Sequence, residues 1–274
     1  MKAFRTSKGI IGLTLVGIFV LMAILSPFLI AEELTTGINV RARLKPPSLD
    51  HLMGTDQLGR ELVWRVLLGA STSLLIAVTS VGLSILIGLP LGIASGYYGG
   101  WTDNILMRLV DTFLSFPALL LALTIAAVLG PNLQNTILAI GIAFTPYLAR
   151  IVRGEVLRVT GLPFIEAARS QGATNFRIIR LHVLPNILPP VIVQATISIA
   201  FAILAEAGLS FLGLGTQPPT PSWGLMIQAS RDYLDIAPWT ALVPGLATAL
   251  TVLGLNMLGD VLRDVLDPTT IVEK

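Results

Sequence analysis

An all-α, polytopic membrane fold with about six transmembrane helices is what this sequence predicts, and three observations lead to it. Of the 274 residues, 54% are hydrophobic and only 12% are charged, roughly half the charged share of an average soluble domain. Several apolar runs reach the ~20 residues that a helix needs to cross a bilayer core. The basic residues stand mainly in loops and the net charge is only +2, which indicates membrane topology signals rather than a nucleic-acid-binding surface.

The first apolar run, residues 9–31, follows three basic residues: Lys2, Arg5 and Lys8. Two interpretations are open, a cleaved signal peptide and a retained first span. The run is longer than the 7–15-residue core of a signal peptide, and Leu29 does not suit a small-x-small cleavage site ending at Ala31. We therefore expect a retained span with the N-terminus in the cytoplasm.

Residues 32–70 are more polar, and we expect them on the external side of the membrane. Thr55 or Asp56 is a candidate cap for a helix that lies in the membrane interface, because apolar residues follow from Leu62. A solvated connecting loop is the equally good alternative. The string GTDQLGR at residues 54–60 belongs to this segment.

The second span is predicted at residues 71–96. Gly88, Gly92 and Gly96 are spaced by four, so they form one smooth face that another helix can approach closely. Pro90 is expected to bend this helix. A glycine-rich turn, residues 97–103, follows on the predicted cytoplasmic side.

The third span is predicted within residues 104–129 and the fourth at residues 136–151, joined by an external turn at residues 130–135. Arg108 and Asp111 are three apart on the third span, so they share a helix face and are expected to form an ion pair.

The polar stretch at residues 166–186 lies between two spans and organises the rest of the chain. Six arginines cluster in and before it, which places it in the cytoplasm by the positive-inside rule: Arg150, Arg153, Arg158, Arg169, Arg177 and Arg180. Gly172 permits a sharp turn and Pro185 disfavours a continuing helix. We therefore expect two short helices bent at residues 172–175, which stop where the fifth span begins.

This stretch resembles the EAA loop, the cytoplasmic coupling loop of permease subunits of bacterial and archaeal ABC importers. The family pattern of Glu-Ala-Ala, a later Gly and a closing Leu-Pro is matched in register by Glu166, Ala167, Ala168, Gly172, Leu184 and Pro185. His182 stands where the general pattern has Ile, and the variant His-Val-Leu-Pro-Asn is similar to the peptide and nickel branch. An ordinary amphipathic loop helix is the alternative.

The fifth span is predicted at residues 187–209 and contains one acid, Glu206. An acid inside a span is a candidate pore or gating residue, although a protonated or arginine-paired acid in a helix interface is the alternative. Trp223 lies in the following external segment, residues 210–237, which resembles the corresponding segment of peptide permeases. Trp223 is the second candidate pore or gating residue, because it could contact cargo or a partner. An anchor at the membrane interface is the alternative.

The sixth span is predicted at residues 238–258, with a small-residue face at Ala241, Gly245 and Ala249. The tail GDVLRDVLDP, residues 259–268, resembles the family's C-terminal segment and is expected to form a separate short amphipathic helix ended by Pro268. The predicted organisation is an N-terminal span and external loop at residues 1–70, a permease domain at residues 71–268 and a tail at residues 269–274.

The resemblance implies a permease subunit of an ATP-driven, binding-protein-dependent importer in the cell inner membrane, with both termini cytoplasmic. It implies four kinds of partner: a second permease that makes a heterodimer, two ATP-binding subunits, an external solute-binding protein and membrane lipid. No cofactor is expected on this chain, because none of its four lysines follows a glycine as a nucleotide-binding P-loop requires. ATP is therefore expected to bind the partner subunits.

Peptide uptake is the expected activity, with nickel or nickel-chelate uptake as the runner-up. An ATP-independent channel or carrier and an intramembrane enzyme or scaffold are the other classes. The enzyme is disfavoured because the two histidines, His51 and His182, are expected on opposite sides of the membrane and cannot share a catalytic role. The chain contains no cysteine, which excludes a thiolate nucleophile or metal site.

Overall fold

The computed structural model of the protein describes residues 6–30, 34 and 36–266. We number its helices in chain order as α1 Ser7–Leu29, α2 Leu62–Tyr98, α3 Gly100–Leu114, α4 Ala118–Leu129, α5 Leu133–Thr160, α6 Pro163–Ser170, α7 Asn175–Ile178, α8 Leu184–Phe211, α9 Trp223–Ser230 and α10 Trp239–Leu266. A π-helical stretch, Ile179–Val183, joins α7 to α8, and short 3-10 turns occupy Val40–Ala42 and Arg231–Tyr233.

Within the described residues, 5 helices are long and apolar enough to cross a membrane: α1, α2, α5, the continuous α7–α8 helix Asn175–Phe211, and α10. The pair α3 and α4 makes a sixth if it is counted as one bent span. The predicted all-α fold with about six spans is therefore confirmed.

The third span is not the single helix that the sequence predicted. Its two halves, α3 and α4, meet at an angle of 85° across a short break, and Pro117 stands at the N-cap of α4. Proline has no N–H to donate and disfavours helical backbone at the preceding residue, here Phe116. The sequence analysis placed one span within residues 104–129 and did not anticipate the break before this proline.

The second span begins earlier than predicted, because α2 runs without interruption from Leu62 to Tyr98. The predicted interfacial helix is simply its first turns, where Leu62, Val66 and Ala70 are buried in the core. Asp56 does not cap it. Its carboxylate instead accepts the backbone N–H groups of Leu58 and Arg60 at 2.8 and 2.9 Å, which closes the external loop on itself.

The glycine face of α2 makes a close helix contact, as its spacing predicted. Gly88, Gly92 and Gly96 lie directly against the backbone and side chains of α5, and Pro90 lies inside α2 without ending it. A β-carbon at position 92 would stand 2.6 Å from both the carbonyl oxygen of Ala149 and the β-carbon of Val152. The two helices are therefore held at a separation that only glycine permits.

We expect Gly92→Ala to lower the stability of the protein by about 1–3 kcal/mol, because backbone atoms of α5 have to move to admit the methyl group. Gly82→Ala is the matched control, since nothing lies within 4 Å of a β-carbon built there. Thermal unfolding in detergent measures the difference. Equal midpoints for the two variants would contradict the close-contact interpretation.

At Gly245, the predicted small-residue face of the sixth span makes no close helix contact with the residues that the structure describes, since none of them lies within 4 Å of an added β-carbon. A β-carbon added at Gly254 would instead stand 2.9 Å from the β-carbon of Leu15 of α1. Gly12 of α1 approaches the same part of α10. The tail is also not a separate helix over its described part, because α10 continues to Leu266; Pro268 lies outside the described residues.

Candidate functional site

The stretch between α5 and α8 folds into a compact hairpin, residues 163–186, that we call the coupling hairpin. Its first helix, α6, begins with Pro163 at its first turn, where proline is pre-organised for a helix. It ends in a Schellman motif: Ala173 N–H donates to the Ala168 carbonyl at 3.1 Å, and Gly172 N–H donates to the Arg169 carbonyl at 2.9 Å. Gly172 has φ +77°, a left-handed backbone that favours glycine.

The second half of the coupling hairpin continues into the next span, so the predicted stop at Pro185 is wrong. Thr174 caps α7, and the helix then runs through the π-helical stretch into α8 as one unit, Asn175–Phe211. The π-helical turn shifts the bonding, with Leu184 N–H donating to the Ile179 carbonyl. This widened turn admits Pro185 without breaking the helix.

The inner face of the coupling hairpin is anchored to the ends of α2 and α5. Ile165, Ile178 and Val183 are fully buried in a core cluster that also contains Tyr97 of α2. The Tyr97 hydroxyl donates to Asn175 Oδ1 at 3.0 Å, and the Arg169 guanidinium lies 5.5 Å from the Tyr97 ring. The coupling hairpin is therefore packed as one piece with the long helices.

The outer face of the coupling hairpin carries most of the predicted site residues. Glu166, Ala167, Gly172 and Pro185 are exposed, while Ala168, His182 and Leu184 are partly buried. His182 lies against Phe164, with ring centroids 6.1 Å apart.

Sequence reasoning missed the exposed apolar side chains of the coupling hairpin. Phe176 is 71% exposed, and two further large hydrophobic side chains are exposed as well: Phe164 and Leu181. Their signal was a large apolar residue in a polar loop.

Two ion pairs join α3, the first half of the bent span, to α5. Arg153 donates from Nε and Nη2 to the two carboxylate oxygens of Asp103, both at 2.6 Å, and Arg150 pairs with Asp111. The predicted pairing of Asp111 with Arg108 is therefore wrong. Asp111 pairs with Arg150 because α3 lies against α5. Residue spacing within one helix could not predict this contact between two helices.

Two neighbouring cavities lie along α5 and α8. The central cavity, about 660 Å³, lies between the α3–α4 break, α5 and α8, and the mouth cavity, about 510 Å³, lies between α5, α8 and α10. Gln194 and Ile197 line both, so the two cavities adjoin at these side chains, and we call them together the groove. The mouth cavity also contains three charged side chains: Glu155, Arg158 and Arg263.

Glu206 and Trp223 belong to a buried network away from this groove. Glu206 is fully buried and accepts hydrogen bonds from three hydroxyls, Ser210 at 2.7 Å, Ser222 at 2.8 Å and Ser73 at 3.3 Å. Within the described residues its hydrogen-bond partners are these serines and no arginine, and the alternative of a protonated acid in a helix interface stays open. A gating role for either residue stays a prediction.

Trp223 does not stand at a surface, as an interfacial anchor or a contact residue would. Its ring is fully buried and lies edge-on to Phe19 at 5.6 Å. Its indole N–H donates to the Val66 carbonyl at 3.0 Å, and its backbone N–H donates to the Ser73 hydroxyl at 3.1 Å. The network thus joins α2, α8 and α9.

The sequence profile of one family, described as "Binding-protein-dependent transport system inner membrane component", matches residues 88–272. This region covers the coupling hairpin and both cavities. The chain belongs to this family. Its members are the membrane permease components of ABC importers, so the chain is a permease component and not itself an enzyme, and ATP-binding and solute-binding components work with it.

Individual relatives agree with this membership. The dipeptide transport system permease protein DppC of Alkalihalophilus pseudofirmus is 46% identical over 271 residues, which cover 97% of this chain and 89% of that protein. The glutathione transport system permease protein GsiD of Pectobacterium atrosepticum is 44% identical over 222 residues, 81% of this chain and 74% of that protein.

A solved structure of the methionine ABC transporter MetNI, in an inward-facing conformation, has the same fold. The TM-score is 0.62 at 23% identity, and the match covers 75% of this chain and 98% of that chain.

Proposed function

We propose that this permease imports di- or oligopeptides by alternating access, driven by ATP that separate subunits hydrolyse. The observation that carries the proposal is the continuity of one helix. Asn175–Phe211 begins in the coupling hairpin and runs on to line the groove with Gln194 and Ile197. About 28 Å of helix axis separates Asn175 from Gln194 at ~1.5 Å per residue, so a displacement of the coupling hairpin reaches the groove through a single element.

The outer face of the coupling hairpin is the docking surface for the ATP-binding subunits in this proposal. Phe176 offers an apolar side chain to a groove in the partner, and Glu166 and Ala167 stand on the exposed side of the thin helix α6. The inner face is packed against Tyr97 and the ends of the spans, so a pull on the coupling hairpin acts on α2 and α5 as well. This arrangement suits a mechanical handle.

The groove is one wall of the translocation pathway, and a second permease covers its open side. The partner that we propose for this wall is a paralogous second permease, giving a heterodimer; the wall is polar at a few positions and otherwise aliphatic or aromatic. ATP and the loaded binding protein each favour the outward-open state, so together they shift a two-state equilibrium. The coupling hairpin and both termini lie in the cytoplasm of the bacterial or archaeal cell in this scheme, because six arginines cluster in and before the coupling hairpin.

Peptide cargo is supported by relatives named for dipeptide and glutathione transport. Nickel or a nickel chelate remains the runner-up cargo, since the coupling sequence His182-Val-Leu-Pro-Asn186 is shared by both branches of the resemblance. An ATP-independent channel is the competing class.

Transport by the purified assembly tests the proposal. The chain is reconstituted into vesicles with the permease and ATP-binding subunits that co-purify with it, and a radiolabelled dipeptide and its binding protein are supplied outside. We expect uptake that requires ATP inside the vesicle and the binding protein outside. Equal uptake by the chain alone would establish a channel, and uptake of nickel but not of peptide would overturn the cargo.

A further inference from the structure

The central cavity is apolar except at three side chains. Phe113, Phe116, Phe144 and Phe201 are among its walls, and its polar lining consists of Tyr147, Gln194 and Ser198. Gln194 and Ser198 lie one helical turn apart on α8, well inside a helix that is long and apolar enough to cross the membrane. The cavity therefore offers a small polar position in a lining that is otherwise aliphatic and aromatic.

The hydrogen bonding of this pair leaves capacity for a ligand. Gln194 Nε2 donates to the Ser198 hydroxyl at 3.2 Å. A glutamine side chain has two N–H donors and a carbonyl acceptor, so one donor and the acceptor remain. Gln194 is only partly buried, and it borders both the central and the mouth cavities.

An amide with free hydrogen-bonding groups favours a polar occupant over lipid. Transfer of an unpaired amide to an apolar medium costs about 1–3 kcal/mol by protein mutational data, and polar residues at membrane depth are characteristic of solute pathways. The free donor and acceptor of Gln194 match the C=O and N–H of a secondary amide, the group that every peptide carries whatever its side chains.

We propose that Gln194 and Ser198 form a cargo station that hydrogen-bonds the backbone amide of a peptide in transit. The inference rests on the proposed function and adds the group that the pathway recognises. Gln194 Oε1 accepts the N–H of the cargo and Nε2 donates to its C=O, while the four phenylalanines contact cargo side chains without selecting among them. A cavity of about 660 Å³ is within the ~300–1,000 Å³ range of small-ligand sites.

The decisive experiment compares a dipeptide with its ester analogue, in which oxygen replaces the peptide N–H. Uptake efficiency is measured for both in the reconstituted importer, with wild type and Gln194→Leu. We expect Gln194→Leu to lower uptake efficiency about tenfold for the peptide and less than about threefold for the ester. The ester has no N–H to donate to Gln194 Oε1, so it loses less when that acceptor is removed. The binding protein is the same throughout, so its own preference cancels.

Thr196→Val is the matched control on the same helix, because its hydroxyl donates to the Ile192 carbonyl at 3.0 Å and its methyl group lies on the side of Gly259 of α10. We expect unchanged uptake of both compounds by this variant. An equal loss for peptide and ester in Gln194→Leu would overturn the cargo station, since a structural role affects both alike.

Labelling separates this inference from the proposed function. The chain has no cysteine, so Gln194→Cys provides a single thiol, which we expect to react with a water-soluble reagent and to be protected by peptide. If the thiol is unreactive while the importer still takes up peptide, the cargo station is contradicted and the proposed function is not. Absence of ATP-driven peptide uptake by the wild type would remove the proposed function itself.

Discussion

Gly172→Asp is expected to abolish ATP-driven uptake while the protein still inserts and folds. Gly172 closes α6 with φ +77°, a region where a side chain strains the backbone, although nothing lies within 4 Å of an added β-carbon. The strain therefore acts on the shape of the turn and not on the core. A negative charge at the C-terminus of α6 also opposes the helix dipole.

The result is measured as peptide uptake together with co-purification of the ATP-binding subunits, both of which we expect to fall below a tenth of wild type. Gly161→Asp is the matched control in the same loop, because Gly161 has φ −81° and no atom closer than 3.8 Å to an added β-carbon. It introduces the same charge without the backbone strain. Normal uptake by well-expressed Gly172→Asp would refute the coupling role of the hairpin.

Glu206→Leu is expected to prevent or severely weaken folding. The substitution introduces an apolar side chain of similar size and removes the acceptor of three buried hydroxyls, those of Ser73, Ser210 and Ser222. Buried donors left without an acceptor cost about 1–3 kcal/mol each. The three serines lie on or beside α2, α8 and α9, so the loss loosens the packing of all three helices around Trp223.

We expect a thermal-unfolding midpoint in detergent at least about 10 °C below wild type, if the protein accumulates at all. Tryptophan fluorescence reports the same event through Trp223. Glu206→Gln retains a carbonyl acceptor, and we expect its unfolding midpoint to fall by less than half as much as that of Glu206→Leu. A midpoint for Glu206→Leu equal to that of wild type would show that the carboxylate does not hold these helices together.

The coupling hairpin illustrates how far local sequence carries. Its turn at Gly172 was predictable because one residue type suits a left-handed backbone. Its continuity through Pro185 was not, because a proline ordinarily favours a helix end and only the structure shows the π-helical turn that admits it. Likewise the break before α4 has a local signal in Pro117, which a search for apolar length alone overlooks.

The groove shows what local sequence could not predict, namely which helices face one another. Gln194 and Ser198 carried a signal, two polar residues one turn apart in an apolar span, but nothing in their neighbourhood along the chain says which helices face them. Asp111 had an attractive local partner in Arg108 and pairs with Arg150 instead. Such choices depend on the angle at which α3 crosses α5.

The sequence by itself determined the membrane class, the number of spans, the α2 glycine face and the turn of the coupling hairpin. These follow from apolar length, residue spacing and backbone preference, which act within one helix or one turn. The tertiary structure alone decided that α2 starts at Leu62, that Glu206 is held by three serines and that Gln194 borders the groove. Those features arise from contacts between helices distant in sequence, where packing and hydrogen-bond satisfaction outweigh local preference.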